Sequence, residues 1–444
     1  MIARLGFVLA AAVSPETLDG IWQSIGHGNI YRIRGPQLEA FEVTSTTCLA
    51  SDKATQSSNG TFRIAHGATF TIAPDSAGRF LLLQKSSLAK LRLVRISAMP
   101  PACTEPPQNT PTGNFEVFTN TMAEHYNAFD ERHIDWSQLA ATQRAKISGH
   151  TTPSQLFAMF ESMLAPLGDL HTGLGAPSLK RGTRDFFRQG TDRLIQGNVN
   201  RFAKSGRRAL FAITEKAHPM ESKREFCRGQ VIYAKLPGGI GYLRLLSFGD
   251  WGRRGKDRDA IDHAMDRILA DPTLRALILD LRLSFGGDDA LGLALAARLT
   301  RERYLAFSIQ ARADHADRHK WSEPDDVFVE PTRRAAFTGP VIALTSPITM
   351  SAAETFLLAL IGRVPRVTRI GEPTQGVFCD PLERHLPNGW TFALPNAVYR
   401  TAAGEAFDAR GIPPGIAAPV FADGDVAQAK DPAMEAAVRL LTRH

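Results

Sequence analysis

Apolar positions change their spacing along the chain, and each change marks a different kind of structure. Between residues 20 and 105 they fall in short runs rich in β-branched and aromatic residues: Ile30 to Ile33, Thr61 to Ile64, Thr69 to Ile72 and Phe80 to Leu83. Turn formers separate the runs, among them Asn59-Gly60 and Asp75-Ser76-Ala77-Gly78. This pattern predicts a small β-barrel or sandwich over residues 15–105. Prolines from Pro100-Pro101 through Pro106-Pro107 to Pro111 then predict a linker at 106–112. Helical spacing follows. Phe115, Phe118, Met122, Tyr126 and Phe129 make one stripe, and a second helix starts near Asp135 with Gln138 three residues on. At Thr152-Pro153-Ser154-Gln155 a cap, a first-turn proline and a capping-box glutamine coincide. The stripe behind them runs from Leu156 to Leu167 and stops at Gly168. Residues 113–175 therefore predict a helical subdomain, and the polar, basic stretch 176–230 reads as a connecting segment.

From residue 231 strands alternate with helices. Gly241 to Leu246, Ala276 to Leu281 and Val341 to Leu344 read as strands. Ile261, Ala264, Met265 and Ile268 mark one helix; others run from about Ala290 to Thr300 and from Ser351 onward. This is the signature of an α/β core, 231–420. A last amphipathic helix follows Asp431-Pro432 within 421–444.

Composition narrows the picture. A chain of 444 residues is too long for one ordinary core. The net charge of +7 is spread out, and the pairs Arg253-Arg254 and Arg333-Arg334 lack interleaved stacking aromatics. No nucleic-acid partner is expected. No apolar run approaches the ~20 residues of a membrane span, so no integral membrane segment is expected. Arg4 before the apolar stretch Leu5 to Val13, then Ser14-Pro15-Glu16, predicts a short signal peptide at 1–14 and export to a periplasmic or extracellular space. None of the four cysteines forms a CxxC pair. In an exported chain Cys48 and Cys103 could close the first domain, although spacing leaves all three pairings of the four open. His315 and His319 sit among Arg312, Asp314, Asp317, Arg318 and Lys320, which reads as a solvated face rather than a metal site. No metal or cofactor is expected.

Chemistry concentrates in three places. Ser351 in Thr349-Met350-Ser351-Ala352-Ala353-Glu354 lies between a strand and a helix, where amides point outward and the helix dipole favours negative charge. It is either an N-cap or a nucleophile. Gly286-Gly287, between the preceding strand and its helix, lets bare backbone approach a reacting carbonyl, or makes an ordinary tight turn. His171 follows a helix end, in a turn that leaves its imidazole free to project.

The ordered set of motifs resembles the tail-specific (C-terminal processing) protease superfamily. Asp280-Leu281-Arg282-Leu283-Ser284-Phe285-Gly286-Gly287 is similar to its DLRxNxGG motif, and residues 349–354 to its TxSAxE nucleophile motif. Gly371-Glu372-Pro373-Thr374-Gln375-Gly376, Leu386-Pro387-Asn388-Gly389 and Gly411-Ile412-Pro413-Pro414 resemble further motifs in the family's order. Asp135-Trp136 and Leu167-Gly168-Asp169-Leu170-His171-Thr172 resemble those of its helical domain. The resemblance implies a crotonase/ClpP-like spiral α/β core and a serine peptidase acting on a peptide or protein through an acyl-enzyme. Ser351 would be the nucleophile, and the amides of Ala352 and Gly286 the oxyanion hole, with Gly287 supporting the turn. Where many members carry a lysine base this chain has Val377, which points to the tricorn-like branch and to His171 as general base. Asp408 is the expected orienting carboxylate and Asp169 its rival, with Asp380 and Glu383 behind them; Glu354 is expected to hold the turn. The PDZ domain usual in the family has no counterpart in 176–230, and Ser284 replaces the motif asparagine. Two other readings stay open: a non-catalytic binder of apolar ligands or peptides, and a thioester or acyl-transfer enzyme.

Overall fold

A computed structural model describes residues 18–64, 69–75, 79–84, 87–183, 186–187, 204–253 and 255–442. The predicted signal peptide lies outside them. The N-terminal β region is a closed barrel rather than a sandwich. Its strands are β1 (Gly20–Ser24), β2 (Asn29–Arg34), β3 (Gln37–Val43), β4 (Cys48–Gln56), β5 (Thr61–Ile64), β6 (Thr69–Pro74), β7 (Phe80–Gln84) and β8 (Lys90–Ile96). Each pairs antiparallel with the next, and β1 pairs with β8. Closure removes the unpaired edges that a half-polar sheet would otherwise expose. Inward positions such as Trp22, Ile33, Leu38, Phe62, Phe70, Leu82 and Leu93 form the barrel's core. Cys48 and Cys103 are joined in a disulfide that spans 55 residues. Closing a loop of that length restricts the unfolded chain by about 4 kcal/mol.

Helix α1 (Pro111–His125) begins inside the predicted linker, because Thr110 accepts from the Gly113 amide and Pro111 needs no donor at the first position. Asp135 caps α2 (Trp136–Arg144), and Thr152 with Gln155 forms a capping box on α3 (Pro153–Leu164). Gly168, at φ 55°, ends the run in a left-handed turn. The stripes of α1 and α3 do not close on themselves. Phe115, Phe118, Phe157 and Phe160 pack with Trp390, Phe392 and Leu394. The last two lie on β20 (Thr391–Leu394), which pairs with β19 (Leu382–His385) and with β9 (Gly173–Ala176); β10 (Arg181–Gly182) completes this sheet. A hairpin from late in the chain thus buries its apolar side in the helical layer, and the turn carrying His171 is held against residues 376–382.

The main sheet has seven strands in the order β11 (Glu221–Phe226), β12 (Val231–Leu236), β13 (Ile240–Leu245), β14 (Ala276–Asp280), β17 (Val341–Thr345), β18 (Thr368–Gly371) and β22 (Ile416–Ala417). From β13 onward neighbours are parallel. Its helices are α4 (Lys204–Ala217), α5 (Asp257–Leu269), α6 (Asp289–Ala296), α7 (Ala352–Ala359), α8 (Asp423–Ala427) and α9 (Pro432–Thr442). A smaller sheet, β16 (Asp325–Val329), β15 (Tyr304–Ala311) and β21 (Ala397–Arg400), lies beside it. The stretch that reads as a connector, 176–230, contributes α4 and the edge strand β11. That strand is mostly exposed and carries Glu221, Lys223, Arg224 and Glu225, so it lacks an apolar alternation. The Asp280-Leu281-Arg282 motif proves to be a strut. Buried Arg282 bonds Asp280 (2.7 Å) and Asp431 (2.7 Å), tying the end of β14 to the start of α9.

Candidate active site

Strands β14 and β17 are parallel neighbours, with Asp280 opposite Leu344, so the loops after them leave one sheet edge side by side. Three bonds stitch these loops together. Thr349 Oγ1 donates to the Leu281 carbonyl at 2.8 Å, Ser346 Oγ to that of Arg282 at 2.5 Å, and the Met350 amide to that of Ser284 at 3.2 Å.

Ser351 sits at the tip with φ 54° and ψ −128°, a conformation L side chains rarely adopt. Such a residue costs roughly 1–3 kcal/mol and persists only where its surroundings over-determine it. They do so here. Its amide donates to the Val377 carbonyl at 3.0 Å, and its carbonyl accepts from Glu354 (2.7 Å) and Thr355 (3.1 Å). Ser351 and Glu354 form a capping box at the start of α7, in which the serine side chain accepts from the Glu354 amide and the Glu354 carboxylate accepts from the Ser351 amide. The hydroxyl proton is donated to no described residue.

Gly286 has φ 82°, and a Cβ built there would lie 2.6 Å from Ser351 Cβ and 2.9 Å from the Ala352 nitrogen. Only glycine fits so close to the serine. Neither the Gly286 nor the Ala352 amide donates to a described residue. Two free donors therefore flank Ser351, as an oxyanion site requires. Gly287 backs the turn, where a Cβ would fall 2.2 Å from the Phe248 carbonyl oxygen.

Glu354 is fully buried and ties this turn to the next loop. It accepts from Thr374 Oγ1 (2.5 Å) and from the amides of Gly376 (2.7 Å), Val377 (2.9 Å) and Ser351 (3.3 Å). Burial pushes its carboxyl up to about 8, against the pull of those four donors. Val377 is buried with both backbone groups committed, so that position supplies no base.

His171 reaches the same loop from the helical layer. Asp169 Oδ1 accepts the His171 amide at 2.9 Å, and Asp169 Oδ2 takes the Tyr126 hydroxyl (2.8 Å) and Arg132 (3.1 Å). Asp169 is thus the anchor of the turn. Burial lowers the imidazole below its ordinary 6.5, while Asp169, Asp380 and the Cys379 backbone pull the other way. The Cys379 backbone bonds the ring, and the Val377 carbonyl accepts the Ser351 amide, so both residues meet the same loop. No hydrogen bond joins Ser351 Oγ to the ring, and buried His171 Nδ1 has no partner.

Asp408 does not bond to His171. Its Oδ1 accepts from Asn127 at 3.3 Å, and its buried Oδ2 has no partner. Burial pushes its carboxyl up to about 7, with Asp169 and Glu131 adding to the effect. Asp380, from outside the histidine's own turn, raises the imidazole through its charge, and is itself raised by burial against a bond from Ser87. Sequence reasoning ranked it low; its position just beyond Gly376-Val377 was the available signal. Asp289, which sequence reasoning passed over, is buried under α7 and accepts from Thr355 Oγ1 at 2.6 Å. Glu383 lies exposed on β19.

Comparison with known proteins fits this geometry. Residues 239–418 match peptidase family S41. The chain thus carries a domain similar to those of that peptidase family. The S41 domain holds Ser351, the glycine pair, Glu354 and Asp408; His171 comes from outside it. Among solved structures, a candidate peptidase from Parabacteroides merdae superimposes with a TM-score of 0.61 at 23% identity, over 75% of this chain and 97% of that one. Mature CPAF gives 0.54 at 12% identity over 72% and 94%. CPAF complexed with lactacystin gives 0.54 at 12% over 75% and 97%. These likenesses extend the shared fold beyond the S41 domain. No described helix is long and apolar enough to cross a membrane.

Proposed function

We propose that this S41 peptidase cleaves peptide bonds through an acyl-enzyme on Ser351, with His171 as general base. In the first step Oγ bonds to the scissile carbonyl carbon while the Gly286 and Ala352 amides hold the oxyanion. His171 takes the hydroxyl proton and returns it to the leaving amine as the C–N bond breaks. Water then attacks the ester by the same route and releases Ser351. The observation that carries this reading is the pair of free amides beside a serine held at φ 54° whose hydroxyl proton is donated to no described residue. Burial keeps His171 neutral near neutral pH, the form able to accept a proton. Substrate closing the site would bring ring and hydroxyl together, since catalytic hydrogen bonds are often long before the substrate binds. Export is proposed with it, on the strength of the Cys48–Cys103 disulfide, because such bonds persist in oxidising compartments.

A fluorophosphonate probe tests the assignment. It should label the protein, and Ser351→Ala should abolish both labelling and peptide cleavage. Labelling that survives in the alanine variant removes Ser351 from the role.

A further inference from the structure

Barrel and peptidase core enclose a cleft of about 980 Å³. One wall is the barrel mouth, where Tyr31, Leu38, Asp52 and Phe70 face the space. The other wall carries Asp288, Cys379 and Asp380. Those three residues belong to the active site's own frame. Asp288 follows Gly287, the Cys379 backbone bonds the His171 ring, and the charge of Asp380 raises the pKa of that imidazole. The cleft thus borders residues that adjoin the reacting groups, although Ser351, Gly286 and His171 do not themselves line it, and its far wall is supplied by a domain outside the S41 match.

Its charge runs against that of the chain. The protein carries +7 overall, yet among the described residues the cleft is lined by Glu42, Asp52, Asp257, Asp288, Asp380 and Glu383 against only Arg258 and Arg384. Both arginines are already engaged, Arg258 with Asp262 and Arg384 with the carbonyls of Glu383 and His27. Glu42 is paired with His385 at 2.7 Å. No ion pair with a described residue neutralises Asp52, Asp288, Asp380 or Glu383. Burial raises Asp380, and Asp288 adds to it; Asp257 does the same to Asp288. Carboxylates that outnumber the cations around a cavity are relieved when a further cation enters.

We infer that this cleft is the substrate channel and that it selects peptides bearing lysine or arginine beside the scissile bond, with the barrel forming half of the recognition surface. The inference rests on the serine-peptidase reading. A basic side chain would lie between Asp288 and Asp380, and the chain would pass Asp52 at the barrel mouth. Asp380 then acts twice, on the substrate's cation and on the imidazole.

Matched quenched peptides that differ only in Lys, Gln or Glu beside one scissile bond test it on the full chain. The expected order of kcat/KM is Lys above Gln above Glu, with the Lys advantage over Gln about tenfold and shrinking as salt rises. Asp288→Asn should cut that ratio severalfold. Asp52→Lys, on the barrel wall, should move the preference toward the Glu peptide, a gain that misfolding cannot mimic. Equal cleavage of all three peptides by a protein that labels at Ser351 overturns the inference and leaves the peptidase reading standing. Loss of Ser351-dependent labelling overturns the peptidase reading itself. A Lys preference unmoved by both substitutions also overturns the assignment to this cleft.

Discussion

The nucleophile turn and the histidine turn are built to different standards. Around Ser351 each described backbone group has a stated partner or a stated vacancy. Glu354 gathers four donors from two loops, β14 and β17 are stitched by three bonds, and the free amides are those that would face an oxyanion. Around His171 the backbone is anchored by Asp169 and the ring by one bond to the Cys379 backbone, but Nδ1 is buried without a partner, and Asp408 also carries an orphaned oxygen. Buried polar groups without partners cost roughly 1–3 kcal/mol each. The proposed nucleophile is thus held from several sides, while the proposed base lies on a joint between two layers. The difference follows from topology. Ser351 and Gly286 lie in the loops that follow adjacent strands of one sheet, whereas His171 comes from another layer, where Leu170 packs on the core and the Cys379 backbone bonds the ring.

The strongest way to break this comparison is at the rigid side. Gly286→Ala puts a methyl group 2.6 Å from Ser351 Cβ at a backbone φ of 82°. The turn must shift, and one oxyanion donor goes with it. Loss of such a donor lowers kcat by about 10²–10³. Peptide cleavage should fall by that much with a cooperative melt retained, and fluorophosphonate labelling should slow in parallel. A variant within threefold of the parent would show that the Gly286 amide holds no oxyanion.

A smaller effect is expected on the loose side. Asp408→Asn keeps the shape and removes a carboxylate that makes no bond to His171. Its folded-state value, up to about 7, lies above the ordinary 3.8, so the fold favours its protonated form. That contribution is fully present below 3.8 and is lost as pH rises through about 7. The asparagine variant should therefore melt higher than the parent at pH 8, with less advantage at pH 4. Its kcat/KM should stay within about tenfold, since triad partners that truly fix a base cost about 10⁴ when replaced in this way. A fall of several thousandfold would place Asp408 on the imidazole in the working enzyme.

How much of this was legible in the sequence depends on how local the signal was. Asp135, Thr152 with Gln155, and Gly168 act within four residues, so the helix boundaries they set could be read directly. The strand–turn–helix at Ser351 was legible for the same reason. Strand β11 was not, because an exposed edge strand needs no apolar alternation, and β4 was hidden by its small and charged residues. The barrel's closure depends on β1 meeting β8 across the whole domain, a pairing that no local pattern encodes. The site divides along the same line. The serine, its glycine and its helix-start carboxylate are motif residues, whereas Asp380 gains its relation to His171 only when the helical layer and the core pack together.

The finest test of the joint between those layers is the acid limb of the pH profile. His171 must be neutral to accept a proton, and burial lowers its value below 6.5. Cleavage should therefore rise with pH through a midpoint below 6.5 and then level off. The same depression means that His171's contribution to stability is present above 6.5 and is lost as pH falls through the lower folded value. Asp380 opposes the effect of burial by favouring the imidazolium. Asp380→Asn removes that opposition, so the acid limb should move further down. The shift should appear in kcat/KM for an uncharged substrate, where substrate charge plays no part. A limb that stays where it was, or moves up, would show that Asp380 does not act on the base, and that the ring adjusts to substrate without a carboxylate from the core.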